Sequence, residues 1–233
     1  VIVDDLPEPC RAHWSAFEAA NELGLKERWK ASLHGFLASM AEVAPDVRER
    51  FVIALARRFV DEGAQVPMRH PLFTGLVFPV LREGLDRRAP GCARWLAGFN
   101  QYIYQTPACV ASLGPAWTER ALFTLALEHD PGDDLARSRL IDVMARQFAY
   151  ALHELPSGVL YGANGATPAE CEALQRELAE FVRLVAQAGS SERYRPLIER
   201  GALHFTAYHE YLLANRREGY ARFLEARSAR ASR

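Results

Sequence analysis

Between Trp117 and Leu155 apolar residues recur at helical spacing on both sides of one short break, a pattern that a helical hairpin satisfies and a sheet does not. In its second half Leu140, Val143, Met144, Phe148, Ala151, Leu152 and Leu155 follow the i, i+3, i+4, i+7 rule, which gathers them on one buried stripe. The break, Asp130-Pro131-Gly132-Asp133, stops the first helix because proline disfavours the α conformation in the residue before it. Asp133 or Asp134 can then cap the second helix by accepting a backbone N–H. An antiparallel helix pair follows.

The same grammar runs along the rest of the chain. Pro9 suits the first turn of a helix anchored by Trp14, Phe17 and Leu23 that ends near Gly24. A second helix carries Trp29, Leu33, Phe36, Leu37, Met40 and Val43, and Pro45-Asp46 opens a third that closes at Gly63. The pattern lapses from Glu62 to His70, where two prolines make a connector. Leu72 to Leu85 is strongly apolar, with Pro79 expected to kink the helix from inside. Pro90-Gly91 sets off a helix bearing Trp95 and Phe99. The stretch 156–167, with glycines at 158, 162 and 165, is longer than most loops of a compact domain and is therefore functional or mobile. Thr167-Pro168-Ala169-Glu170 ends it as a capping box, and the helix it starts stops at Gly189. One last helical segment is expected from Ser190-Ser191 to about Leu224, with residues 226–233 fraying. Val1-Ile2-Val3 and Val159-Leu160-Tyr161 are the only β-like runs, too short for a useful sheet. The fold class expected is all-α, as stacked antiparallel hairpins or an irregular bundle of about eight to ten helices.

Composition narrows the function classes. A chain of 233 residues can form one all-helical domain spanning 1–233, with a soft boundary falling, if anywhere, in the 62–70 connector. With 28 basic and 29 acidic residues there is no global field to draw in nucleic acid or an anionic membrane, and no apolar run approaches the ~20 residues of a membrane span. Nearly all the positive charge is arginine, which together with abundant alanine points to a GC-rich bacterial genome. The four cysteines form no C-x-x-C pair and read as reduced thiols in a cytoplasm.

Chemistry-bearing motifs are few. Neither H-x-x-x-H, H-E-x-x-H nor E-x-x-H occurs, so no helix face offers two metal ligands, and neither a metal nor another cofactor is expected. A G-x-S-x-G elbow and a Walker lysine are lacking too. Two mixed aromatic and polar faces stand out instead. His204, Tyr208, Tyr211 and Asn215 fall at i, i+4, i+7 and i+11 of the last segment, next to His209. Arg146, Tyr150, His153 and Glu154 give a similar face at the end of the central hairpin. Tyrosine and histidine combine a flat apolar body with one hydrogen-bonding tip, which suits an interface or a pocket, and equally a helix seam in which such residues satisfy one another. Arg216, Arg217, Arg222, Arg227, Arg230 and Arg233 make the C-terminus locally basic.

Ala126-Leu127-Glu128-His129-Asp130-Pro131, followed by Leu135-Ala136 and Leu140, resembles a junction between tetratricopeptide repeats, within residues 117–140. No second copy follows at a spacing near 34 residues. The stretches Arg69-His70-Pro71-Leu72-Phe73, Ala93-Arg94-Trp95-Leu96 and His153-Glu154-Leu155-Pro156 resemble a group of uncharacterised bacterial all-helical proteins, a likeness that implies no activity. The leading expectation is a non-enzymatic helical module, of adaptor or toxin-neutralising type, that binds another protein. The alternative is a helical bundle that binds a small molecule or metal, or an enzyme using His153, Glu154, His209 and Glu210 with Tyr208.

Overall fold

In the computed structural model, residue 3, residues 5–214 and residues 218–231 are described. The fold is all-α: helices make up 76% of the described residues, with one two-stranded ribbon among them. The chain divides into two compact units, 1–136 and 137–233, and the 62–70 connector lies inside the first. Most of Val1-Ile2-Val3 lies outside the described residues.

The first unit opens with α1 (Glu8–Glu22) and α2 (Lys26–Ala41). Gly24, at φ +68°, lets the chain turn between them, its N–H donating to Asn21 O while that of Leu25 donates to Ala20 O. This pair of bonds satisfies the last carbonyls of α1. Trp14 and Phe17 of α1, Phe36 of α2 and Phe51 of α3 (Pro45–Ala56) form a buried aromatic cluster, Trp14 lying 5.0 Å from Phe36 and 5.2 Å from Phe51. The third helix runs on as a π turn, Arg57–Asp61.

After the connector come α4 (His70–Leu72), a second π turn (Phe73–Val77) and α5 (Phe78–Asp86). Pro79 therefore does not sit inside a regular α-helix. A proline has no N–H to give and its ring crowds the carbonyl four residues back, which here is Gly75, inside the widened turn. Around this turn Phe73, Phe99 and Tyr102 pack together, and Phe59 stacks on Phe99 at 5.0 Å. Short helices α6 (Cys92–Gly98), α7 (Asn100–Tyr104) and α8 (Pro107–Leu113) follow, then α9 (Glu119–His129). Thr118 caps α9, accepting from Ala121 N–H at 3.2 Å.

The turn between α9 and α10 (Asp134–Ala151) behaves as its residues dictate. Asp130 Oδ1 accepts from Gly132 N–H at 2.9 Å, and Asp133 Oδ1 caps α10 by accepting from Ala136 N–H at 2.9 Å. Ala126 and Ala136, the small residues flanking the turn, are both buried.

In the second unit Phe148 of α10, Phe181 of α11 (Pro168–Gln187) and Phe205 of α12 (Ser191–Leu213) meet at centroid distances of 5.4 and 5.8 Å. Gly189, at φ +63°, ends α11 with the same two-bond cap as Gly24. Gly201 lies against Leu178, so α11 and α12 approach closely there, and an added Cβ would press on the Leu178 methyls at 3.2 Å. The last segment is two helices, because α12 ends at Leu213 and α13 spans Tyr220–Ala231. Residues 226–231, expected to fray, belong to α13.

Candidate interaction face

The His204–Tyr208–Tyr211 face of α12 forms as its spacing requires, and α13 covers it. Tyr208 stacks on Tyr211 at 5.8 Å, and Tyr220 of α13 packs edge-on against Tyr208 at 5.0 Å and against Tyr211 at 5.6 Å. Phe223 of α13 completes the cluster, 5.6 Å from Tyr211. Tyr220 is 2% exposed, and its hydroxyl lies 2.9 Å from His204 Nδ1. Burial pushes the Tyr220 phenol up to about 12, so it keeps its proton. Burial, helped by the charge of Arg200, holds the His204 imidazole below its ordinary value and keeps it neutral. With Nδ1 unprotonated the imidazole accepts from the Tyr220 O–H, and with Nδ1 protonated it donates to the phenolic oxygen, so the two side chains satisfy each other in either tautomer. The face is thus a helix seam. Asn215, placed on it by spacing, lies outside the described residues, as do Arg216, Arg217 and Arg233 of the basic terminus.

The ionisable residues proposed for a shared pocket divide into separate pairs. His209 Nε2 lies 3.5 Å from Glu172 of α11. Glu210 holds Arg227 of α13 through both guanidinium contacts, at 2.8 and 3.3 Å. His153 and Glu154 are exposed at the end of α10, 3.9 Å apart. Arg146 and Tyr150 also face solvent, Tyr150 at 52%. Among the described residues no group of three or more His, Cys, Asp or Glu side chains is placed to hold a metal ion.

The 156–167 stretch is built, and its base is fixed. Val159 and Ala166 are buried and joined by a backbone bond of 2.8 Å from Ala166 N–H to Val159 O. Beyond them strands β1 (Leu160–Tyr161) and β2 (Asn164–Gly165) pair antiparallel, with Gly162 at φ +58° making the reversal. Glu170 accepts from the Thr167 N–H at 2.8 Å in the capping box at the loop's end, and that bond lowers the Glu170 carboxyl pKa. On the α12 side Tyr208 lies against the loop: a Cβ added to Gly158 would stand 3.1 Å from its hydroxyl. The tip is exposed, with Tyr161 at 38%.

Two positions that sequence reasoning did not single out, and one that it read only as a loop glycine, complete this arrangement. Tyr220 and Phe223 close the seam, and Gly158 seats Tyr208. Gly219, just before α13, was the available signal for the break that folds Tyr220 back. A small cavity of about 120 Å³ between α12 and α13 is lined by Glu210, Phe223, Arg227 and Arg230 among others.

In the first unit the half-buried Arg94 lies between two carboxylates. Its Nε donates to Asp133 Oδ2 at 2.7 Å, its other guanidinium edge reaches Asp61, and Trp95 Nε1 donates to Asp61 at 2.9 Å. Burial works against the Arg94 charge, but the bonds and charges of Asp61 and Asp133 outweigh it and raise the pKa. Arg94 and Trp95 belong to one of the stretches that carried the bacterial resemblance, and their role here is to tie the π turn to the cap of α10. No protein-family model, curated protein or solved structure matches the chain.

Proposed function

We propose that this chain is a non-enzymatic protein-interaction module of adaptor or toxin-neutralising type, whose contact face is the exposed end of α10 with the 158–166 finger. One observation carries the reading: a loop whose base is buried and clamped carries an exposed tip. Tyr150 and Tyr161 stay open to solvent at 52% and 38%, while Val159 and Ala166 beneath the tip are buried. A loop already held in one conformation costs a partner little ordering entropy, and tyrosine contributes a large contact area with few rotatable bonds. His153 and Glu154 supply polar contacts at the margin. Tyr208 lies behind the loop, against Gly158, with Tyr211 stacked on it.

The bacterial cytoplasm is part of the same proposal. Four free, buried cysteines fit a reducing compartment. Among the described residues no helix is long and apolar enough to cross a membrane. The separate pairing of His209 and Glu210, away from each other's partners, gives the small-molecule reading no shared centre.

Native mass spectrometry of protein purified gently from its source tests the proposal. A second protein is expected in stoichiometric amount, lost in a Tyr150→Ala/Tyr161→Ala variant whose melting temperature is unchanged. A partner that the double variant retains would rule out this face. A stoichiometric small molecule or metal would replace the reading with the bundle-site alternative.

A further inference from the structure

We propose that the cleft between α3 and α5 binds a free aliphatic α-amino acid, with Arg48 at its carboxylate and Glu83 at its ammonium group. The cleft has a volume of about 270 Å³. That is roughly the space of nine water molecules at about 30 Å³ each, and a leucine zwitterion has as many non-hydrogen atoms. Two helix faces build it. Pro45, Arg48 and Glu49 fall at i, i+3 and i+4 of α3, so they project to one side. Pro79 and Glu83 of α5 and Arg87 just beyond it fall at i, i+4 and i+8 and form the opposing wall.

Charge decides the ligand class. The walls carry two cations and two carboxylates, and one of each is already paired, because Arg87 donates to Glu49 at 2.8 Å from one helix to the other. The other two charges are not joined. Among the described residues Arg48 meets no carboxylate within 4.0 Å, and Glu83 meets no cation within that distance. The Arg48 guanidinium makes one bond of 3.5 Å to the Val43 carbonyl, at the outer limit of a hydrogen bond. A simple anion drawn to Arg48 would enter beside the Glu83 carboxylate, and a simple cation drawn to Glu83 would enter beside Arg48. A ligand that carries both charges meets each of them with its opposite. The side chains of Pro45, Pro79 and Val80 are hydrocarbon, so the surface between the charged groups takes an aliphatic side chain at less cost than a polar one. This cleft belongs to the first unit, whereas His153, Glu154, His209 and Glu210 belong to the second.

An NMR titration of the full chain with L-leucine tests the site. Saturable shifts are expected in the backbone amides of residues 46–49 and 80–87, with a Kd of about 1 mM or below. Isocaproate, which is leucine without the ammonium group, and isoamylamine, which is leucine without the carboxylate, should each bind about threefold to tenfold more weakly, the factor carried by one exposed charged contact. Arg48→Gln should weaken leucine by the same factor and leave isoamylamine unchanged. Glu83→Gln should weaken leucine and leave isocaproate unchanged. Resonances outside the cleft that match those of wild type show that each variant is folded. Leucine that shifts no cleft resonance at about 10 mM, or that binds both variants as tightly as wild type, overturns the proposal. Isocaproate that binds as tightly as leucine also overturns it, because the cleft is then a plain anion site. Partner capture does not enter this measurement, so the cleft and the interaction face can fail separately.

Discussion

Arg94 shows how much a single residue can depend on the fold. Its two carboxylate partners, Asp61 and Asp133, are 33 and 39 positions away, and all three side chains are between 9% and 12% exposed. Arg94→Ala leaves two part-buried carboxylates without their cation and is expected to cost about 1.5–3 kcal/mol in urea denaturation. Arg94→Lys should recover little of that loss, since an ammonium cannot bridge two carboxylates with a planar fork. Arg88 presents the opposite case. It occupies the left-handed cap position after α5 at φ +56°, where the chain otherwise uses glycine. The left-handed conformation costs an L-residue about 1–2 kcal/mol, part of which glycine gives back through its looser unfolded chain. Arg88→Gly should therefore stabilise the protein by about 0.5–1 kcal/mol, read as a higher urea midpoint at unchanged slope. Neither effect can be read from neighbours in the chain, because one needs distant partners and the other a backbone angle.

At the scale of elements, local rules carried far. Proline and glycine positions mark the ends of α1, α11 and the α9–α10 turn, because caps and turns are decided by a few adjacent residues. The capping box at Thr167 is the clearest instance, with both reciprocal bonds formed. The lowered pKa of Glu170 means its contribution is complete above the ordinary carboxylate range and is lost as the pH falls through the folded value. Hydrogen exchange at the start of α11 should accelerate in that acid window in wild type and show no such step in Glu170→Gln. The α12 face was legible as a face, but not its cover. Periodicity says which residues share a side of a helix and nothing about what lies against it. Tyr208→Ala should accordingly lower stability by about 2 kcal/mol through lost burial and also raise exchange in residues 158–166. Tyr150→Ala, on an open surface, should leave both unchanged.

At the scale of the molecule, the cysteines give a direct check. Cys10, Cys92, Cys109 and Cys171 are all buried, and burial raises each thiol pKa, to about 11 for Cys92 and Cys171. Iodoacetamide near neutral pH should modify the folded protein slowly, and all four positions rapidly in guanidinium; fast labelling of the native chain would contradict this packing. The all-helical class and the main helix boundaries followed from the sequence by itself, because helical periodicity and capping are short-range properties written in neighbouring residues. The eight to ten helices expected became α1 to α13 because π turns and short breaks subdivide apolar runs that periodicity alone treats as continuous. Only the tertiary structure decided that α13 returns over Tyr208, that His209 and Glu210 turn to different partners, and that Arg94 joins Asp61 to Asp133. Each of these depends on which distant side chains share a buried volume, and that is settled by packing and desolvation rather than by spacing along the chain.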